Sequence, residues 1–117
     1  MQLDLFARPA DDRARVIAHR MIDILGTCAG PDGWLRAAEV CLYIGCKPDE
    51  AGKRAVRSGA EASRGAIIIG QQGYKLTALA TVEEIRHAIN ILESQARKMA
   101  DRAAAIRAAG HRALACA

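Results

Sequence analysis

Thr81 to Glu84 reads "TVEE", a threonine with a glutamate three residues on, the pattern in which each residue caps the other's free backbone amide at a helix start. Behind it Ile85, Ile89, Leu92, Ala96, Met99, Ala103 and Ile106 recur at alternating steps of four and three, the spacing of a heptad seam. The pattern predicts one helix over residues 81–110, stopped by Gly110, with residues 111–117 as a tail. Such a helix, roughly 28 residues and about 42 Å long, exceeds the body of a small domain. Only about eighty residues are then left to build a core, which allows one compact unit and no second. Ile85, Ile89 and Leu92 are expected to pack on that unit's first helix, and the later seam to reach a partner. The pairing residues would be Leu92, Ala96, Met99, Ala103 and Ile106, a seam that beyond Leu92 is small enough for the close approach of a second helix, while Arg97, Lys98, Arg102 and Arg107 face outward. A homodimer through this region is the natural expectation.

The preceding residues break into short elements. "DDRARVIAHRMIDILG" from Asp11 sets Ala14, Ile17, Ala18, Met21, Ile24 and Leu25 at helical spacing with Gly26 as a stop. Thr27 to Gly33, "TCAGPDG", is loop chemistry. "WLRAAEVCLYIG" reads as a short helix with Leu35, Ala38, Cys41 and Leu42 or Tyr43 inward, closed by Gly45. Pro48, Asp49 and Glu50 then open a third helix running to about Ala60. Its Gly52 and Gly59 are expected to weaken it, by up to about 1 kcal/mol each relative to alanine. Gly65 to Thr77, "GAIIIGQQGYKLT", has the form of a two-stranded hairpin with a glycine-flanked tip.

Helix, helix, turn, helix, hairpin is an order that resembles the winged helix-turn-helix family over Asp11 to Ala80, and the "GYKLT" exit from the hairpin (Gly73 to Thr77) is also similar to it. The expected fold class is therefore mainly α with a β-hairpin wing, plus the long C-terminal helix. On the third helix Glu50, Lys53, Arg54, Arg57 and Glu61 share one face, and Ala51, Ala55, Val56 and Ala60 the other. The resemblance implies that Lys53, Arg54, Arg57 and Ser58 meet the major groove of double-stranded DNA, where arginine pairs with a guanine edge and lysine takes a phosphate. It further implies that Arg64, Gln71, Gln72 and Lys75 of the wing lie along a neighbouring phosphate run or minor groove. A formal net charge of +4 and a pI of about 9.1 agree with a polyanionic partner. Glu50 and Glu61 would repel phosphates, which favours a specific docking over a smeared electrostatic one.

Residues 1–10 read as an extended N-terminal tail, with Leu3, Leu5 and Phe6, the chain's one phenylalanine, ahead of any periodicity. "QLDLF" (Gln2, Leu3, Asp4, Leu5, Phe6) resembles the pentapeptide, Gln-Leu-Ser/Asp-Leu-Phe, by which bacterial replication and repair proteins bind the sliding clamp of DNA polymerase. That resemblance implies Leu5 and Phe6 in an apolar pocket, Leu3 in a shallower one, and the Gln2 amide orienting the segment. A tail alone should bind on the order of micromolar, and tethering to the same DNA raises its effective concentration.

Other function classes find little support. Cys28, Cys41, Cys46 and Cys116 are unevenly spaced, without a C-x-x-C, and His19, His87 and His111 lie far from them and from each other, so reduced thiols and no metal are expected. No nucleophile–base pair or phosphate-cradling glycine loop appears, and neither an enzyme nor a cofactor is expected. The longest apolar runs, such as "AIII" at Ala66 to Ile69, fall far short of the roughly 18 residues of a bilayer span, so no membrane is expected and a cytoplasmic location is. The expectation is a phage-type or bacterial accessory protein of replication or repair. Its alternatives are a dimeric transcriptional repressor of the same fold and a protein-interaction adaptor that does not bind DNA.

Overall fold

The computed structural model describes residues 9–116. The order is α1 (Pro9–Thr27), α2 (Ala37–Ile44), α3 (Glu50–Ala62), β1 (Ile67–Gly70), β2 (Gly73–Leu76), a 3-10 turn (Thr77–Leu79) and α4 (Val82–Cys116). The protein is mainly helical, with one antiparallel hairpin and a long C-terminal helix. It divides into two units, Met1–Ile85 and Arg86–Ala117.

In the first unit, α1 starts two residues ahead of Asp11, with Pro9 at its first position, where a missing amide hydrogen costs nothing. Its stripe delivers Ala18, Met21 and Leu25 to the interior. There Met21 and Leu25 join Leu35, Val40, Cys41, Val56, Ala60, Ile67 and Tyr74, so every element of the unit before the 3-10 turn contributes to one core. Each fully buried aliphatic among them is worth about 1.5–3 kcal/mol relative to exposure.

The helical sign at "WLRAAEVCLYIG" is only partly realised. Leu35 lies before α2, exchanging backbone hydrogen bonds with Tyr74 (N to O 3.0 Å and 2.8 Å), and α2 begins after Arg36, whose amide donates to Glu39 Oε1 at 3.0 Å. The register of α2 is thereby set so that Val40 and Cys41 face inward, while Leu42 and Tyr43, one or the other of them expected inside, are 68% and 53% exposed. Gly45 ends α2 in the left-handed conformation, φ 84°, with its neighbour's amide, Cys46 N–H, closing on the Cys41 carbonyl at 2.9 Å, the C-terminal cap that glycine permits.

Asp49 caps α3, accepting from the Gly52 amide at 2.8 Å. Gly52 and Gly59, expected to weaken this helix, are buried at its closest approaches. A Cβ on Gly59 would stand 2.5 Å from Ile17 Cγ2, and one on Gly52 would run into the Lys47 carbonyl oxygen. Losing helix propensity here is the condition for α3 to seat against α1 and the α2–α3 turn. Past Ser63 the chain reverses through Arg64 and Gly65, both at positive φ (56° and 88°), into the hairpin. Its pairs are Ile67 with Leu76, Ile68 with Lys75, Ile69 with Tyr74 and Gly70 with Gly73, leaving Gln71 and Gln72 at the tip.

The second unit is the remainder of α4. The capping box forms as expected, Thr81 N–H to Glu84 Oε1 at 2.9 Å and Glu84 N–H to Thr81 Oγ1 at 3.1 Å. Gly110, expected to end the helix, does not, and the expected tail at 111–117 is helical through Cys116. The residues after Gly110, "HRALAC", hold good helix formers and no proline, so one exposed glycine, worth about 1 kcal/mol, does not stop it. At 35 residues α4 is about 52 Å long.

Candidate nucleic-acid interface

The burial of Gly52, Val56, Gly59 and Ala60 fixes which side of α3 faces out. Lys53, Arg54, Arg57 and Ser58 are all exposed, together with Glu50 and Glu61, and Ala51, assigned to the inner face, is exposed too. Arg57 lies on the edge of the helix nearest β2. Burial raises the Tyr74 phenol above its ordinary value of 10.0, and the Arg57 guanidinium beside it pulls the other way. The opposite edge borders α1 along a groove that includes Arg15, His19, Ser58, Glu61 and Arg64. Arg54 thus sits between two edges, each carrying at least one further polar or cationic group.

Arg64, Gln71 and Gln72 are exposed, the first at the reversal after α3 and the others at the hairpin tip. Lys75 is not. It is 7% exposed, its ammonium 2.8 Å from Glu84 Oε1 and 5.4 Å from the centre of the Trp34 ring. Alternation along β2 puts Tyr74 into the core and Lys75 on the other face of the strand, where Trp34 closes over it and Gly33 leaves it room. The Trp34 indole donates to the second Glu84 oxygen at 3.0 Å. Lys75 is therefore a structural cation and drops out of the surface assigned to nucleic acid. Sequence reading missed this arrangement because its members are up to 50 residues apart. The one local hint was that Glu84, as a capping residue, has a second oxygen to spare.

This arrangement has an electrostatic signature. The Lys75 hydrogen bond, then the Thr81 amide, and to a lesser degree the Trp34 indole, hold the Glu84 carboxyl down from 4.5 to about 2, against some burial that acts the other way.

Elsewhere the chemistry is plain. All four cysteines are free thiols. Burial is the main reason that Cys41 is pushed up to about 11, with Cys46 adding to it, which makes it unreactive as a thiolate. Among the described residues no three His, Cys, Asp or Glu side chains converge as a metal site would require, and no helix is long and apolar enough to cross a membrane. Gln2, Leu3, Asp4, Leu5 and Phe6 lie outside the described residues. In α4 the expected pairing residues Leu92, Met99 and Ile106 are 65%, 69% and 63% exposed, and Ala96 and Ala103 are exposed as well.

No protein-family model, curated protein or solved structure matches the chain. Its functional reading rests on residue chemistry and geometry.

Proposed function

We propose that the protein is a winged-helix binder of double-stranded DNA that pairs through its C-terminal helix and docks on the replication sliding clamp through Gln2 to Phe6, as an accessory or regulator of replication or repair. The observation that carries the reading is the solvent face of α3. Three cations, Lys53, Arg54 and Arg57, stand exposed on a helix whose other side is locked down by two buried glycines, and a hairpin with glutamines at its tip follows. Backbone rigidity under a cationic face is what groove reading needs, because the side chains must reach base edges from a fixed distance. The DNA surface comprises Lys53, Arg54, Arg57 and Ser58 with Arg64, Gln71 and Gln72, and excludes Lys75.

Fluorescence anisotropy with labelled duplex, titrated with salt, tests the first half. Affinity should fall steeply with salt, and Lys53→Ala/Arg54→Ala/Arg57→Ala should weaken binding at least about tenfold, flattening the salt slope by about 0.9 for each phosphate no longer neutralised. Unchanged binding by that variant would remove α3 as the DNA surface, and no binding by the wild type would leave the adaptor reading in its place. Recovery of sliding clamp by the full chain, compared with Leu5→Ala/Phe6→Ala, tests the second half. Strong loss in the variant supports docking, and equal recovery would point to a repressor.

A further inference from the structure

The exposed seam of α4 has an order within it that bears on how two copies meet. Its large residues, Leu92, Met99 and Ile106, occupy one heptad position, and its small ones, Ala96, Ala103 and Gly110, the other. From Gln95 to Cys116 every side is exposed, so the whole stripe is free to pack on something. In a parallel, in-register pair each layer joins like with like. Leucine, methionine and isoleucine layers would then alternate with alanine and glycine layers, and no single helix separation fits both. In an antiparallel pair each layer joins one position to the other, so a large side chain always meets a small one at one uniform, close separation.

We propose that α4 pairs with α4 of a second copy in antiparallel sense, with Ala96 of each opposite Ile106 of the other. The inference rests on the dimer reading above and adds its direction and register. In this register Met99 meets Ala103, and Leu92 meets Gly110, of the second copy, so all six residues satisfy the large-to-small rule.

The flanking charges favour the same choice. Glu93 and Arg107 each follow a large seam residue, and in this register Glu93 of one copy comes level with Arg107 of the other to within about 3 Å along the axis, twice per dimer. A parallel pair instead sets Arg102 beside Arg107 of the second copy on both flanks, two like-charge contacts where the geometry calls for opposite ones. The antiparallel pair has one such contact, Arg102 against its own copy at the two-fold axis. In this register the two Ile85 residues come to lie about 48 Å apart along the pair.

The test uses the full chain with Cys28→Ser and Cys46→Ser, buried Cys41 kept, and a spin label on native Cys116. Sedimentation velocity should show a concentration-dependent dimer, and pulsed electron resonance a single distance near about 45 Å. A distance below about 20 Å would mean a parallel pair, overturning this inference but leaving the dimer. A peak displaced by about 10 Å, one heptad, would overturn the register, and a monomer at every concentration would overturn both readings. Core exchange supplies a second arm that needs no label. Ala96→Ile should weaken dimerisation at least tenfold and Ala96→Ile/Ile106→Ala should restore it, whereas a parallel pair would be tightened by Ala96→Ile alone.

Discussion

The two units carry the same kind of apolar periodicity and use it differently. In Met1–Ile85 the stripe of α1 meets α2, α3 and the hairpin, and Met21, Leu25, Val40, Cys41 and Val56 are sealed from solvent. In Arg86–Ala117 an equally regular stripe leaves Leu92, Met99 and Ile106 more than three-fifths exposed. Periodicity therefore states that a helix has a face, and the neighbours decide whether that face is core or contact surface. Glycine shows the same division. Buried Gly52 and Gly59 mark where backbones touch, while Gly110 has nothing within 4 Å of the Cβ it lacks.

The sharpest way to break the comparison is Gly52→Ala. Its methyl would collide with the Lys47 carbonyl, which is backbone and cannot swing aside, so the turn between α2 and α3 must shift. A loss of about 3 kcal/mol is expected, at the upper end of what overpacking a tight interior does. Urea unfolding followed by fluorescence reads this cleanly, since Trp34 is the chain's one tryptophan and sits in the first unit. A loss below about 0.5 kcal/mol would mean that the turn is not tightly packed, and the contrast with Gly110 would collapse.

A smaller effect concerns the charged residues that close the first unit. Because the folded-state carboxyl of Glu84 is depressed, from 4.5 to about 2, its contribution is complete above about pH 4.5 and drains away as pH falls toward 2. Melting temperatures of the wild type and of Glu84→Gln should differ most above pH 5 and converge near pH 2. Glutamine keeps an amide oxygen for the Thr81 amide, so what it removes is chiefly the charge facing Lys75. A gap that is the same at pH 7 and pH 2 would show that the pair contributes nothing through ionisation.

Much of this architecture could be read from residue order, and the failures share a cause. Element types and their succession followed from local chemistry: the Thr81–Glu84 box, the Gly45 cap, the glycine-flanked Gln71–Gln72 tip. Lys53, Arg54 and Arg57 fell on the outer face because helical spacing alone puts them there. What escaped depended on distant partners. Lys75 looked like a surface cation because Trp34 and Glu84, which enclose it, are remote along the chain. Leu35 looked helical because its pairing with Tyr74 is non-local. Leu42 or Tyr43 looked buried because the register of α2 is set by that same pairing, and the small residues of α3 looked like weakness because the nearness of Ile17 and Lys47 is a tertiary fact.

The mildest substitution tests the other side of the contrast. Gly110→Ala adds a methyl to a helical position with open space around it, so the steric penalty that governs Gly52 is absent and only propensity remains, a gain of about 0.8–1 kcal/mol for the helix. Pairing as proposed would not oppose it, because an alanine at 110 would face Leu92 of the second copy much as Ala103 faces Met99. Thermal melting by circular dichroism at 222 nm should therefore show a later or steeper loss of helix, while the Trp34 fluorescence transition stays where it was. The same type of mutation would then destabilise one unit and stabilise the other. If instead both probes shift together, the two units melt as one cooperative body, and the second draws its stability from the first and not from a partner.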